Sequence, residues 1–87
     1  MKKIFILTII ELTSNGEVSF DVRKYDHRHE AEAYGDEQLS NWVAEHTEED
    51  DDGSLIAPYL TRYPNLVEAN DRDTIAEFDY YISEFEV

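Results

Sequence analysis

The sequence predicts an α+β fold: a small antiparallel sheet, begun by an N-terminal β-hairpin and extended by one or two further strands, packed against one main amphipathic helix. Three observations carry this. Residues 4–12, Ile-Phe-Ile-Leu-Thr-Ile-Ile-Glu-Leu, are the most continuously apolar stretch of the chain. Asn15-Gly16 joins them to a second strand-like run. Residues 31–46 then carry apolar side chains at helical rather than alternating spacing. At 87 residues, a single domain over 1–87 is expected.

Alternate residues of a strand point to opposite faces. Ile4, Ile6, Ile10 and Leu12 would line one face of the first strand, and Phe5, Leu7 and Ile9 the other. A strand apolar on both faces calls for cover on both sides, so this one is read as central.

Asn-Gly accepts positive φ at both positions of a type I′ turn, which marks a two-residue hairpin loop. That turn would pair Ser14 with Glu17, Glu11 with Phe20 and Ile9 with Val22. The return strand is Val18 to Tyr25, and the shared core face becomes Phe5, Leu7, Ile9, Val18, Phe20 and Val22.

Asp26 is a suitable N-cap for the helix, with Glu30 in a first turn that favours negative charge. Ala31, Tyr34 or Gly35, Leu39, Trp42, Val43 and His46 form the inward stripe; Glu30, Glu37, Asn41, Glu45 and Glu48 lie opposite. A glycine inside a helix costs about 1 kcal/mol, so a start near Asp36 is the alternative. The helix is expected to fray in the acids of Glu48 to Asp52, which oppose its dipole. Leu55, Ile56, Tyr59, Leu60 and Tyr63 fit a short second helix, stopped at Tyr63-Pro64-Asn65. Residues 74–87 fit either periodicity. Their two Phe, two Tyr and two Ile favour a strand, which the hairpin needs as a further partner.

Seven basic residues stand against 21 acidic ones, for a net charge of −14. The imbalance begins after residue 26: residues 1–26 are neutral, 27–53 carry −9 and 54–87 carry −5. Such a charge disfavours binding to nucleic acid or an anionic membrane and complements a basic partner. With 41% hydrophobic and 13% aromatic residues, the chain has the means to build a core. The absence of cysteine rules out disulfides, thiolate metal sites and a cysteine nucleophile. Met-Lys-Lys before an apolar run resembles the start of a secretory signal, but no small-residue cleavage site follows, so a cytoplasmic location is expected.

Few residues point to chemistry. Glu48, Asp50, Asp52, Gly53 and Leu55 match part of a calcium loop, but its closing acid would fall on Tyr59. His27 and His29 share a face only if extended, and His46 falls on the apolar stripe beside Trp42. Glu11 is the one acid placed opposite an aromatic residue. No nucleophile elbow and no glycine-rich phosphate loop occur, and no cofactor is implied, so a non-enzymatic role is expected.

The acids themselves form the candidate site. Glu30, Glu37, Glu45, Glu48, Glu49, Asp50, Asp51 and Asp52 would make one surface, with Tyr34 as an aromatic anchor. Glu77, Asp79, Glu84 and Glu86 add charge from the C-terminal element, with Tyr80 and Tyr81 among them. DNA carries one charge per ~1.7 Å of axis. A rigid row of carboxylates offers a basic groove something similar. In size and charge the chain looks like the small phage-encoded proteins that mimic DNA to block restriction or CRISPR enzymes, a similarity of composition and not of motif. It implies an inhibitor that engages a basic, nucleic-acid-binding protein and excludes its ligand. A calcium-binding or self-associating module, homodimeric in the simplest case, is the alternative.

Overall fold

The computed structural model describes all 87 residues. Two long strands dominate it. β1 (Lys3–Leu12) and β7 (Glu77–Glu86) pair antiparallel over their full lengths, from Lys3 opposite Glu86 to Leu12 opposite Glu77. Backbone bonds between Lys2 and Val87 extend the pairing to the termini. β2 (Val18–Tyr25) pairs with the other edge of β1. β5 (Tyr59–Tyr63) and β6 (Leu66–Asn70) continue the sheet beyond β7, giving the order β2-β1-β7-β6-β5. One helix, α1 (Arg28–Glu45), crosses between β2 and the rest. A separate two-stranded hairpin, β3 (Glu48–Glu49) with β4 (Leu55–Ile56), follows it. The architecture is the expected α+β one, with a five-stranded sheet.

α1 covers one side of this sheet. Its buried stripe is Ala31, Gly35, Leu39 and Trp42. They pack with Phe5, Leu7 and Ile9 of β1, Val67 and Ala69 of β6, and Phe78, Tyr80 and Ile82 of β7. Gly35 sits inside the helix because the sheet comes close there. A Cβ at Gly35 would lie 3.0 Å from the Tyr80 ring. The helix therefore does not start at Asp36. Nor does Asp26 cap it: Asp26 pairs with Lys2 at 3.4 Å, and His27 takes the cap position without a side-chain hydrogen bond.

The hairpin register differs from the expected one by one residue. Thr13 N–H donates to Glu17 O, and Gly16 N–H to Thr13 O. The loop is thus three residues, Ser14-Asn15-Gly16, with Gly16 alone at positive φ (+88°). This is the three-residue hairpin loop with a left-handed glycine. Thr13 Oγ1 also accepts the Glu17 N–H, which favours the longer closure. Glu11 now faces Ser19, and Phe20 faces Ile10. A one-residue slip moves every side chain of the strand to the other face. Val18, Phe20 and Val22 leave the core, and Asp21, Arg23 and Tyr25 take the helix side.

Residues 55–56 and 59–63 are strands and not a short helix. Pro64-Asn65 makes the two-residue turn between Tyr63 and Leu66, and the Tyr- and Thr-bearing segment before it finds a free edge at β6. The acidic run also leaves the helix rather than fraying it. α1 ends at Glu45, where His46 N–H bonds back to Trp42 O and Thr47 Oγ1 donates to Val43 O at 2.7 Å. The acids then form β3 and its turn. No helix is long and apolar enough to cross a membrane.

Candidate acidic interface

Glu30 and Glu37 are exposed on the outer side of α1, and Glu45 is exposed on its flank beside the end of β1. They are seven and eight residues apart, so their carboxylates recur every ~10–12 Å along the axis. The acids on the helix flanks are engaged: Glu32 pairs with Arg28 at 3.7 Å and Asp36 with Arg62 at 3.3 Å. The outer row is thus sparse but uncompensated.

The β3–β4 hairpin continues it. Asp50 shapes the turn: its Oδ1 accepts the backbone N–H of Asp52 and of Ser54, and its carbonyl accepts the Gly53 N–H. This self-bonding aspartate turn is the local reason that five consecutive acids fold at all. The Asp52 carboxyl is held below its usual range by hydrogen bonds, first with Asp50 and then with Ser54. At the base, Glu48 meets the β6–β7 turn. A hydrogen bond with the Asp73 side chain, and then the charges of Asp73 and Asp71, push its carboxyl up. Two segments distant in sequence therefore merge into one acidic end. Glu48, Glu49, Asp50, Asp51 and Asp52 are all exposed, as are Leu55 and Ile56 between them and the body.

The positions of the partial calcium match are spread over several elements. Its first ligands lie on a strand and a turn, its last position enters β5, and Asp50 Oδ1 accepts backbone amides. No three His, Asp or Glu side chains converge in a way that would hold a metal ion. His27 and His29 are exposed, with their rings 5.4 Å apart. His46 stacks on Trp42 at 4.0 Å, and its Nδ1 lies 2.9 Å from the Trp42 carbonyl. Trp42 itself is buried, so both belong to the packing.

Tyr34 stands apart from the acidic row. It is half-buried at the edge of the core, its hydroxyl directed at Asp21 (3.4 Å) and its ring under the Arg23 guanidinium (4.1 Å). Tyr80 is not an exposed anchor either. It is buried, donates to Asp36 Oδ1 at 2.7 Å, and is pushed up to about 12 by burial and that bond. Glu11 is half-buried on the helix side, between Ser19 and Phe78.

The acid with the most perturbed surroundings is Asp79, on the side of the sheet away from α1. Its Oδ1 is buried without a hydrogen-bond partner. Burial, then the neighbouring Glu77 and Glu68, raises its pKa to about 7. Alternation along β7 places Glu77 and Asp79 on one face; Glu68 joins them only through the β6–β7 register.

Across the molecule, Lys2, Lys3, Arg23, Arg28 and Arg62 each pair with one acid. Arg72 instead binds the Ala57 carbonyl and covers the Tyr59 ring. Five of the 21 acids are so compensated, which leaves sixteen without a lysine or arginine partner. All eight acids of the predicted surface are among the sixteen. Compared with known protein families, curated proteins and solved structures, the chain matches none.

Proposed function

We propose that this is a non-enzymatic acidic binding protein that occupies the basic surface of a nucleic-acid-binding protein and excludes its ligand, as the phage inhibitors of restriction and CRISPR enzymes do. The observation that carries it is the set of acids without a lysine or arginine partner on the helix, the β3–β4 hairpin and the β6–β7 turn. Uncompensated carboxylates held this close repel one another, and a basic partner relieves that repulsion. The shape supports the reading. The molecule measures 56 × 25 × 17 Å, and its long dimension matches about 16 base pairs at ~3.4 Å each. The mechanism is competitive exclusion, with affinity that falls as salt rises.

The test is retention on the immobilised protein from a nuclease-treated bacterial lysate, eluted by a salt gradient. A nucleic-acid-binding protein that elutes late, is displaced by DNA or RNA, and is lost with the Glu45→Lys, Glu48→Lys, Asp50→Lys triple variant supports the proposal. Retention unchanged by the triple variant removes this surface from it.

A further inference from the structure

Only one side of the sheet is covered. On the other, register brings together Ile6 and Ile10 of β1, Phe20 and Val22 of β2, and Tyr81 of β7, with no element of the chain over them. Phe20 is 68% exposed and Val22 62%. Beside this apolar strip stand Glu77 and Asp79, with Glu68 directly opposite Asp79. The partnerless Asp79 oxygen lies within that group. That oxygen is closed to solvent, so an incoming donor meets the group through the remaining carboxylate oxygens of Asp79, Glu77 and Glu68. The strip and the acids form one surface, apolar on β1 and β2 and negative on β7 and β6.

A second copy of the chain is a poor cover. It brings another −14 and the same three acids. Lys24 is the one lysine or arginine that the strands place on this side, and it sits opposite Ile6, four residues along β1 from the level of Asp79. Arg72, near the β5 edge, is engaged with Ala57 and Tyr59. Stacking two such faces sets like charges against each other with nothing between them.

We infer that the uncovered face is a docking surface for a different protein, one that presents an apolar strip flanked by an arginine reaching the Glu68, Glu77 and Asp79 carboxylates. Arginine suits the site because its planar fork donates to two carboxylate oxygens at once. The face is large enough. Five strands ~4.8 Å apart, the longest rising ~3.3 Å per residue, span about 600 Å², which reaches the lower end of standard interfaces at ~600 Å² per partner. This surface lies across the sheet from α1, so it is independent of the acidic row on the helix.

The test is an amide NMR titration of the full chain with a short synthetic peptide of alternating leucine and arginine. A second peptide carries citrulline in place of arginine. Expected are shifts centred on Ile6, Ile10, Phe20 and Tyr81 with the arginine peptide and little with the citrulline one. Asp79→Asn, isosteric and fold-preserving, should weaken binding by about 30-fold or more. Phe20→Ser should weaken it as well, and the Glu45, Glu48, Asp50 triple lysine variant should not. Shifts confined to Glu30, Glu37, Glu45 and the hairpin overturn the inference, as does binding indifferent to Phe20→Ser or the absence of binding. A dimer of the protein alone that dissolves on Phe20→Ser also overturns it, because the cover is then a second copy.

Discussion

β1 presents nearly equal apolar character to the two sides of the sheet, yet the two sides have opposite fates. Phe5, Leu7 and Ile9 are sealed under α1, and Leu7 is 0% exposed. Ile4, Ile6 and Ile10, one residue out of step, are only half-buried and shielded by their strand neighbours alone. On β2 the contrast is sharper still: the residues that face the helix are Asp21, Arg23 and Tyr25, and the exposed ones are Val18, Phe20 and Val22. Hydrophobic side chains thus do not choose the interior individually. A strand buries whichever set its register and its covering element happen to face, and the remainder becomes surface.

This contrast can be broken most forcefully from the covered side. Trp42→Ala removes a buried ring that packs against Phe78 and should cost about 3–5 kcal/mol, seen as an early denaturation midpoint. Leu7→Ala should cost about 2–5 kcal/mol by the same cavity argument. An unchanged melting temperature for either would place the core elsewhere. Gly35→Ala is subtler. Helix propensity gains up to about 1 kcal/mol. The new methyl, however, meets the Tyr80 ring at 3.0 Å, and that ring is tethered by its hydrogen bond to Asp36. The net expectation is a loss of about 1–2 kcal/mol, and a more stable Gly35→Ala protein would show that Tyr80 yields freely.

The open side is sharpened by pH. Asp79 titrates near 7 in the folded chain and near ~3.9 when unfolded. Between those values the folded state holds a proton that the unfolded state has released, so stability is greatest below the lower value and is lost as pH rises through the upper one. The melting temperature should therefore fall from pH 5 to pH 8. Asp79→Asn should make that fall shallower and raise the melting temperature at pH 8. Identical pH profiles for the two proteins would mean that Asp79 is not the group responsible; the carboxyls facing it are Glu77 and Glu68, with no cation among its neighbours. The smallest effect should come from Phe20→Ser, within about 0.5 kcal/mol of the parent protein, as for other exposed positions.

The same two sides show how much was legible beforehand. The inward stripe of α1 was readable at Ala31, Leu39 and Trp42, with Tyr34 or Gly35 undecided, because helical spacing survives small errors in the ends. The face of β2 was not. Asn15-Gly16 pointed to a two-residue turn, whereas the loop has three residues, and Thr13 Oγ1 favours that longer closure only once Glu17 is near. The acidic surface was readable as composition, and Glu30 and Glu37 fell on one helix side as spaced. That Asp71 and Asp73 join Glu48 was not readable, since they are more than twenty residues away in sequence and meet only through a turn. The alternation Glu77, Asp79 and Tyr81 against Phe78, Tyr80 and Ile82 was visible in β7. The orphaned oxygen of Asp79 was not.

By itself the sequence determined the existence of the N-terminal hairpin, a helix carrying Leu39 and Trp42 inward, and the concentration of negative charge after residue 26; for residues 74–87 it favoured a strand without excluding a helix. Each of these is local, set by periodicity, turn chemistry or side-chain type. The tertiary structure decided the hairpin register, the insertion of β7 between β1 and β6, the conversion of residues 55–56 and 59–63 to strand, and the choice of which side of the sheet α1 covers. The physical reason is that a strand reads almost the same with either face inward. A single residue of loop length, and the one helix available to cover the sheet, settle which face is core and which is left for a partner.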